Sequence, residues 1–353
     1  MINRELAAEV KSLMPSRERE TDRNSPVSMW NEMDRLRGKP EPTTVVIFRT
    51  RGCSWYDFSS CSMCGYFNDV NTNVGMENLK AQIDKAYDFM ENTKILKIFT
   101  SGSFLDRREV PKESFDYFMK RMSDKVEKLL VESRTEYVTE TTIKDMKSYG
   151  IDTRIAIGVE SSNDYVVKNK VNKGTNFSKF INAAKTLQKE KVELRSYLLL
   201  KPPFMSEEEA VIDAIKSVRD CAPYSTDISV NPMNIQKNTL VEKLWKRGEY
   251  RPPWLWSVAR VLLETGDVEA DVLSYPTGGD RERGAHNDDR DQELVKLIFN
   301  SSLNQDFREL QEYYERGEKT KYFSHIRNEN RLPVQYDIDS FIRKITSGSV
   351  KIQ

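Results

Sequence analysis

Cys53, Cys61 and Cys64 fall within twelve positions, in the segment Arg51-Gly-Cys-Ser-Trp-Tyr-Asp-Phe-Ser-Ser-Cys-Ser-Met-Cys-Gly65. Spacing this short lets one loop wrap its thiolates round a compact inorganic core, and Gly52 and Gly65 bracket it with permissive backbone. The number of ligands is informative. A structural zinc ion is closed by four protein ligands, yet His286, His325 and Cys221 are all remote in sequence. Three thiolates hold a 4Fe-4S cubane with one iron open, which the amino and carboxylate groups of S-adenosylmethionine (SAM) can chelate. A zinc site completed by a distant residue and a set of unrelated buried thiols are the other two readings. Cys221, at the end of an amphipathic segment, reads as a core residue.

The cysteines follow directly on the first of six β-rich runs, at 43–49, 95–100, 128–132, 153–160, 193–200 and 227–231. Amphipathic segments at 78–90, 112–122, 141–149, 176–189 and 207–219 separate them, the last opened by a Ser206 cap. This alternation predicts an α/β fold with a parallel sheet, and right-handed crossovers make it an open, TIM-like partial (β/α)6 barrel. Chemistry in such a barrel gathers at the C-terminal ends of the strands. Ser101, Gly102 and Ser103 follow the second run, with Asp106 just beyond; Glu132 ends the third, with Arg134 after it; Glu160 and Ser161 end the fourth. Arg195 lies inside the fifth. A Ser-Gly-Ser turn also serves as a plain strand-to-helix connection, and acids and arginines at strand ends also make structural ion pairs.

Residues 1–42 are charged, show no strand pattern and read as an N-terminal extension. Residues 43–235 carry the barrel, and 236–353 form a C-terminal region for substrate or partner. That region offers a helix at 239–247, then Trp245, Tyr250, Trp254 and Trp256, which could stack on nucleotides or fill a core. A Gly-rich loop containing His286 and Asn287 follows, then helical segments with Tyr313, Tyr314 and Tyr322 and a tail ending Lys351-Ile-Gln353. With 55 basic and 55 acidic residues, the chain as a whole does not advertise a polyanion binder, so nucleic-acid contacts must come from local patches. Lys243, Lys246, Arg247 and Arg251, together with the loop from Arg281 to Arg290, are the groups expected to supply one. No signal peptide and no apolar run of membrane-spanning length can be found, which predicts a cytoplasmic protein without a membrane partner.

Arg49-Thr-Arg-Gly-Cys53, Cys64-Gly-Tyr-Phe67, Phe99-Thr-Ser-Gly-Ser-Phe-Leu-Asp106, Val131-Glu-Ser-Arg-Thr-Glu136 and Ile157-Gly-Val-Glu-Ser161 together resemble the radical SAM superfamily. Within it they are most similar to the archaeosine synthase radical SAM subunits, relatives of the elongator catalytic subunit. The first cysteine spacing is wider than the usual superfamily loop, as it is in the archaeosine family. The resemblance implies that Cys53, Cys61 and Cys64 bind the cluster. It further implies that Met63 and Tyr66 lie by the adenine of SAM, Ser101 to Ser103 by its amino group, Glu132, Glu160 and Ser161 by its ribose, and Arg134 or Arg195 by its carboxylate. Lys201-Pro-Pro203 resembles the stretch that closes the adenine pocket, or is a rigid turn. Asp106, His286 and Asn287 would contact substrate, and the absence of a cysteine pair after Asn287 leaves a second metal site unsupported. The implied reaction is tRNA modification. A lysine-transferring partner subunit attaches lysine to a 7-cyano-7-deazaguanine base, and this enzyme, fed by an external electron donor, breaks the new carbon-nitrogen link to leave archaeosine. Elongator-type wobble-uridine modification is the enzymatic alternative. A non-catalytic zinc RNA-binding module is the alternative outside enzymes.

Overall fold

In the computed structural model, residues 3–18 and 20–330 are described. The end of the C-terminal region, with the tail at 351–353, lies outside them. One sheet of eight strands runs in sequence order: β1 (Ser28–Leu36), β2 (Lys39–Ile47), β3 (Ile95–Phe99), β4 (Lys128–Glu132), β5 (Asp152–Glu160), β6 (Glu193–Leu200), β7 (Asp227–Pro232) and β8 (Asp271–Leu273). β1 is antiparallel to β2, and every later neighbour is parallel. All six runs read from the sequence are strands. The two additions come from the flanks. The expectation that the first 42 residues lack strand is corrected: β1 folds back on β2 through Arg37 and Gly38, both at positive φ (51° and 79°), the backbone of a two-residue hairpin turn. Its charged sequence hides it, because it is an edge strand.

Helices follow in chain order: α1 (Arg4–Leu13), α2 (Met76–Phe89), α3 (Lys112–Met122), α4 (Glu140–Lys147), the single turn α5 (Asp164–Val166), α6 (Phe177–Lys189), α7 (Glu207–Cys221), α8 (Leu240–Lys246), α9 (Leu255–Glu264), α10 (Gln292–Asn304), α11 (Arg308–Arg316) and α12 (Thr320–Glu329). Ser206 caps α7 as expected, accepting from Glu209 N while the Glu209 carboxylate returns to Ser206 N. Side chains on a strand alternate between faces. Val46, Ile98, Leu129, Val131, Ile155, Ile157, Leu198, Ile228 and Val230 pack with the helices into the main core, Cys221 among them.

The alternate positions are charged at the barrel floor. Asp34 of β1 pairs with Lys97 at 2.7 Å and Arg195 at 2.9 Å; Asp227 pairs with Arg195 at 2.6 Å and Arg154 at 2.5 Å. Burial by itself would push the Asp34 carboxyl up, but Arg195 and Lys97 hold it far below the usual carboxylate range. Arg35 of β1 reaches Asp271 of β8 at 2.7 Å, so the two edge strands are bridged and the sheet curls back on itself.

Candidate cluster and SAM site

The cysteine loop leaves the C-terminal end of β2 and is built from two short 3-10 turns, Ser54–Asp57 and Tyr66–Asn68, with Cys64 N donating to Cys61 O at 3.1 Å between them. It is clasped by the segment between β5 and α6. Asn172 Nδ2 donates to Ser60 O (2.7 Å), Ser62 Oγ to Lys170 O (2.7 Å) and Trp55 Nε1 to Asn172 O (3.0 Å). From inside the loop, Tyr56 Oη donates to Ser101 O and lies 3.1 Å from Cys64 Sγ. These bonds orient three half-open cysteines over the mouth of the barrel.

The thiols resist ionisation. Burial pushes all three up, Cys64 to about 11, and each is raised further by other cysteines or a nearby carboxylate. Arg134, 3.6 Å from Cys53 Sγ, and Lys173, beside Cys61, oppose this. Three crowded thiols that need more positive charge to become thiolates fit a cationic iron-sulfur core.

Beside the thiols the structure brings together Glu132, Arg134, Glu160, Tyr66 and the turn 101–103. Lys173 joins them, its Nζ 2.7 Å from Glu160 Oε1 and 2.5 Å from Gly158 O. The Glu132 carboxylate makes no hydrogen bond or ion pair among the described residues, although its backbone carbonyl accepts from Phe104 N at 2.9 Å. Burial raises its carboxyl to about 8, with Lys173 opposing and Glu160 adding to the rise. Tyr66, half exposed, is within electrostatic reach of Glu132, Cys64 and Glu160, and Met63 packs at the edge of the core. Three strand exits at this mouth carry a non-glycine residue in the left-handed region: Ser101, Glu160 and Lys201. Such backbone costs about 1 kcal/mol or more and gathers at functional sites.

Gly102 has no room for a side chain. A Cβ there would lie 2.6 Å from Cys53 Cα and 2.8 Å from Cys53 N, and would also strike the Glu109 carboxylate. Glu109 is buried behind the turn, where it accepts from Ser103 N at 2.5 Å, and its Oε1 is 2.7 Å from Thr50 Oγ1. Burial lifts its carboxyl to about 8.

Several expected contacts lie elsewhere. The fork of Arg195 is taken up by Asp34 and Asp227 at the barrel floor, which leaves it no free edge for a SAM carboxylate. Ser161 is buried and gives its hydroxyl to Asp213 on α7 at 3.0 Å. Ser103 Oγ accepts from Arg134 N at 3.0 Å, so that turn offers backbone more than side chain. Asp106 caps Arg108 N at 2.9 Å and lines a separate cleft on the cysteine loop. His286 Nδ1 is 2.8 Å from Gly284 O, and Asn287 Nδ2 donates to Asp291 at 2.8 Å, in a loop fastened to Pro253 O. Lys201 is a buried turn residue with its ammonium 2.6 Å from Glu207 and 3.6 Å from Glu329. Glu207 and Glu329, which with His325 form a group that could hold a metal ion, thus already have this ammonium as a cationic partner. Tyr250, Trp254 and Trp256 are buried, with Trp254 against Tyr322 and Trp256 stacked on Tyr313; they are core. Lys173 and Glu109 were not singled out from the sequence. A Lys-Gly pair before a helix cap and an acid six residues after a turn are too ordinary to signal a site.

Residues 47–215 match the Radical SAM superfamily, the class that a cysteine loop over a parallel half-barrel defines. Members of that superfamily bind a 4Fe-4S cluster and SAM. The chain is 41% identical over 273 residues to archaeosine synthase subunit beta of Methanosarcina acetivorans, covering 75% of this chain and 79% of that protein. It is 36% identical over 293 residues to the protein of the same name from Thermococcus kodakarensis, covering 79% and 90%. The chain belongs to the archaeosine synthase subunit beta family of radical SAM enzymes. Among solved structures, the archaeal Methanocaldococcus infernus Elp3 aligns with a TM-score of 0.49 at 18% identity, over 74% of this chain and 63% of that one. Methylornithine synthase aligns with a TM-score of 0.46 at 14% identity, over 92% and 91%. No helix among the described residues is long and apolar enough to cross a membrane.

Proposed function

We propose that this chain is the SAM-cleaving subunit of an archaeosine synthase, a carbon-nitrogen lyase acting in the cytoplasm on tRNA whose 7-cyano-7-deazaguanine base carries an added lysine. The observation that carries this reading is the clasped loop holding Cys53, Cys61 and Cys64 over a barrel mouth lined by Glu132, Arg134, Glu160 and Lys173. The names of its relatives support the substrate. With three cysteine ligands and SAM on the open iron, the cluster would supply one-electron cleavage of SAM to a 5'-deoxyadenosyl radical.

The chain's own residues do the positioning. Arg134 and Lys173 provide positive charge for the SAM carboxylate, Glu132 and Glu160 provide acceptors for ribose hydroxyls, and the backbone of 101–103 faces the amino group. Met63 and Tyr66 flank the adenine. The barrel wall and the clasp at 161–176 exclude water from the lysyl carbon beside the new nitrogen, from which hydrogen is taken before the carbon-nitrogen bond breaks. Residues 236–353 serve substrate and partner, a second subunit attaches the lysine, and an external donor supplies the electron.

The test combines both subunits, SAM, a reductant and tRNA bearing lysine deuterated next to its terminal nitrogen. Archaeosine and deuterated 5'-deoxyadenosine should form in equal amounts. An untouched adduct alongside a change at another base would replace this reading with elongator-type modification.

A further inference from the structure

The cysteine loop carries a second feature. Arg17, Arg51, Gly52, Ser54, Asp57, Thr72, Asp106 and Arg108 enclose a cavity of about 100 Å³. Most of its charges are spoken for. Arg17 pairs with Asp57 at 2.8 Å, and Arg108 with Asp106 at 3.5 Å. Arg51 is exposed and makes no hydrogen bond or ion pair among the described residues. Three guanidinium groups against two carboxylates leave one positive charge, and it resides on Arg51. Thr72 Oγ1 is buried and has no hydrogen-bond partner among the described residues.

An unpaired guanidinium and an unpaired hydroxyl lining one small cavity call for a compact oxyanion. The space holds about three waters' worth of liquid, enough for a tetrahedral anion and too little for a nucleobase. A planar fork with a hydroxyl beside it suits phosphate oxygens. Of the basic residues expected to meet nucleic acid, Lys243, Lys246, Arg247 and Arg251 are each paired with an acid, Glu9, Glu242, Glu249 and Asp288, whereas Arg281 and Arg290 are exposed in the Gly-rich loop and line no part of this cavity.

We propose that Arg51 and Thr72 bind one backbone phosphate of the tRNA, with Arg17 and Arg108 adding to the local field. The inference rests on the tRNA reading above and adds a place on the surface to it. The cavity includes Gly52 and Ser54, the two neighbours of Cys53. A phosphate held there would therefore anchor the strand at the rim of the mouth that the modified base enters.

The test is equilibrium binding of lysine-adduct tRNA to the reconstituted subunit across a salt series, for wild type, Arg51→Gln and Thr72→Val. Arg51 makes no hydrogen bond or ion pair among the described residues, so its replacement should leave iron content and SAM affinity unchanged. Arg51→Gln should weaken tRNA binding about tenfold at low salt and flatten the plot of log K against log salt by about 0.7 to 0.9. Thr72→Val should weaken binding a fewfold with the slope kept, since it removes a neutral donor. If wild type binds tRNA and Arg51→Gln binds with the same affinity and slope, the phosphate site is wrong. If Arg51→Gln instead slows only cluster reduction by an acidic electron-transfer protein, the cavity is a protein-docking face and the proposal falls. Wild type that binds no tRNA at any salt overturns the tRNA reading itself.

Discussion

Replacing Gly102 by alanine tests how the turn after β3 holds the cluster loop. The new Cβ would sit 2.6 Å from Cys53 Cα and 2.8 Å from Cys53 N, distances that real Cβ atoms do not show below 3.0 Å. Those are backbone atoms, so relief requires moving the loop at its first ligand by at least several tenths of an ångström. Overpacking of this kind costs about 1–3 kcal/mol. The apo-protein should therefore melt a few degrees lower. The larger effect should fall on the cluster, because Cys53 is displaced from Cys61 and Cys64: iron per chain after anaerobic reconstitution should drop, and SAM cleavage with it. The double variant Gly102→Ala, Glu109→Ala separates the two contacts. Removing the Glu109 carboxylate leaves the Cys53 clash in place, so the double variant should stay poor in iron. Full iron content and wild-type SAM cleavage in the single variant would refute the argument, and recovery in the double variant would place the whole clash on Glu109.

Alanine at Cys53, Cys61 or Cys64 should each abolish SAM cleavage, measured as 5'-deoxyadenosine formed; a triple variant that still cleaves SAM would end the cluster assignment. Arg134→Ala and Lys173→Met should weaken SAM binding about tenfold or more while the cluster's absorption is kept, and unchanged affinity in both would mean the carboxylate contact is elsewhere. Glu132 has its carboxyl raised to about 8 in the folded chain. Its acid form is therefore the one the fold favours, and the stability it contributes is complete below the unfolded value near 4.5 and lost as pH rises through about 8. Denaturant titrations of the apo-protein should lose a few kcal/mol across that window, and Glu132→Gln should flatten the loss; an identical pH profile in the variant would show that Glu132 is not its source.

Much of this protein was legible in one dimension. The three cysteines declared a site because ligands on one short loop are close in sequence by necessity. The six strands and the capped α7 were legible because period-2 runs, amphipathic segments and Ser206 to Glu209 are local signals. Glu132, Arg134 and Glu160 could be expected at one mouth because parallel strands put all their C-terminal ends there. What the sequence could not tell was which charges would find each other. Arg195 looked like a free arginine on a strand; its partner Asp34 is 161 positions away on an edge strand that its own charges concealed. Trp254 and Trp256 could have faced RNA or filled a core, and only α11 and α12 packing over them decided it. Lys173 and Glu109 became part of the site only through packing, one carried in by the clasp around the cysteine loop, the other pressed behind Gly102. A sequence constrains which face of an element each side chain takes, since that follows from backbone periodicity. The partner across the barrel is a long-range contact, and tertiary folding alone selects it.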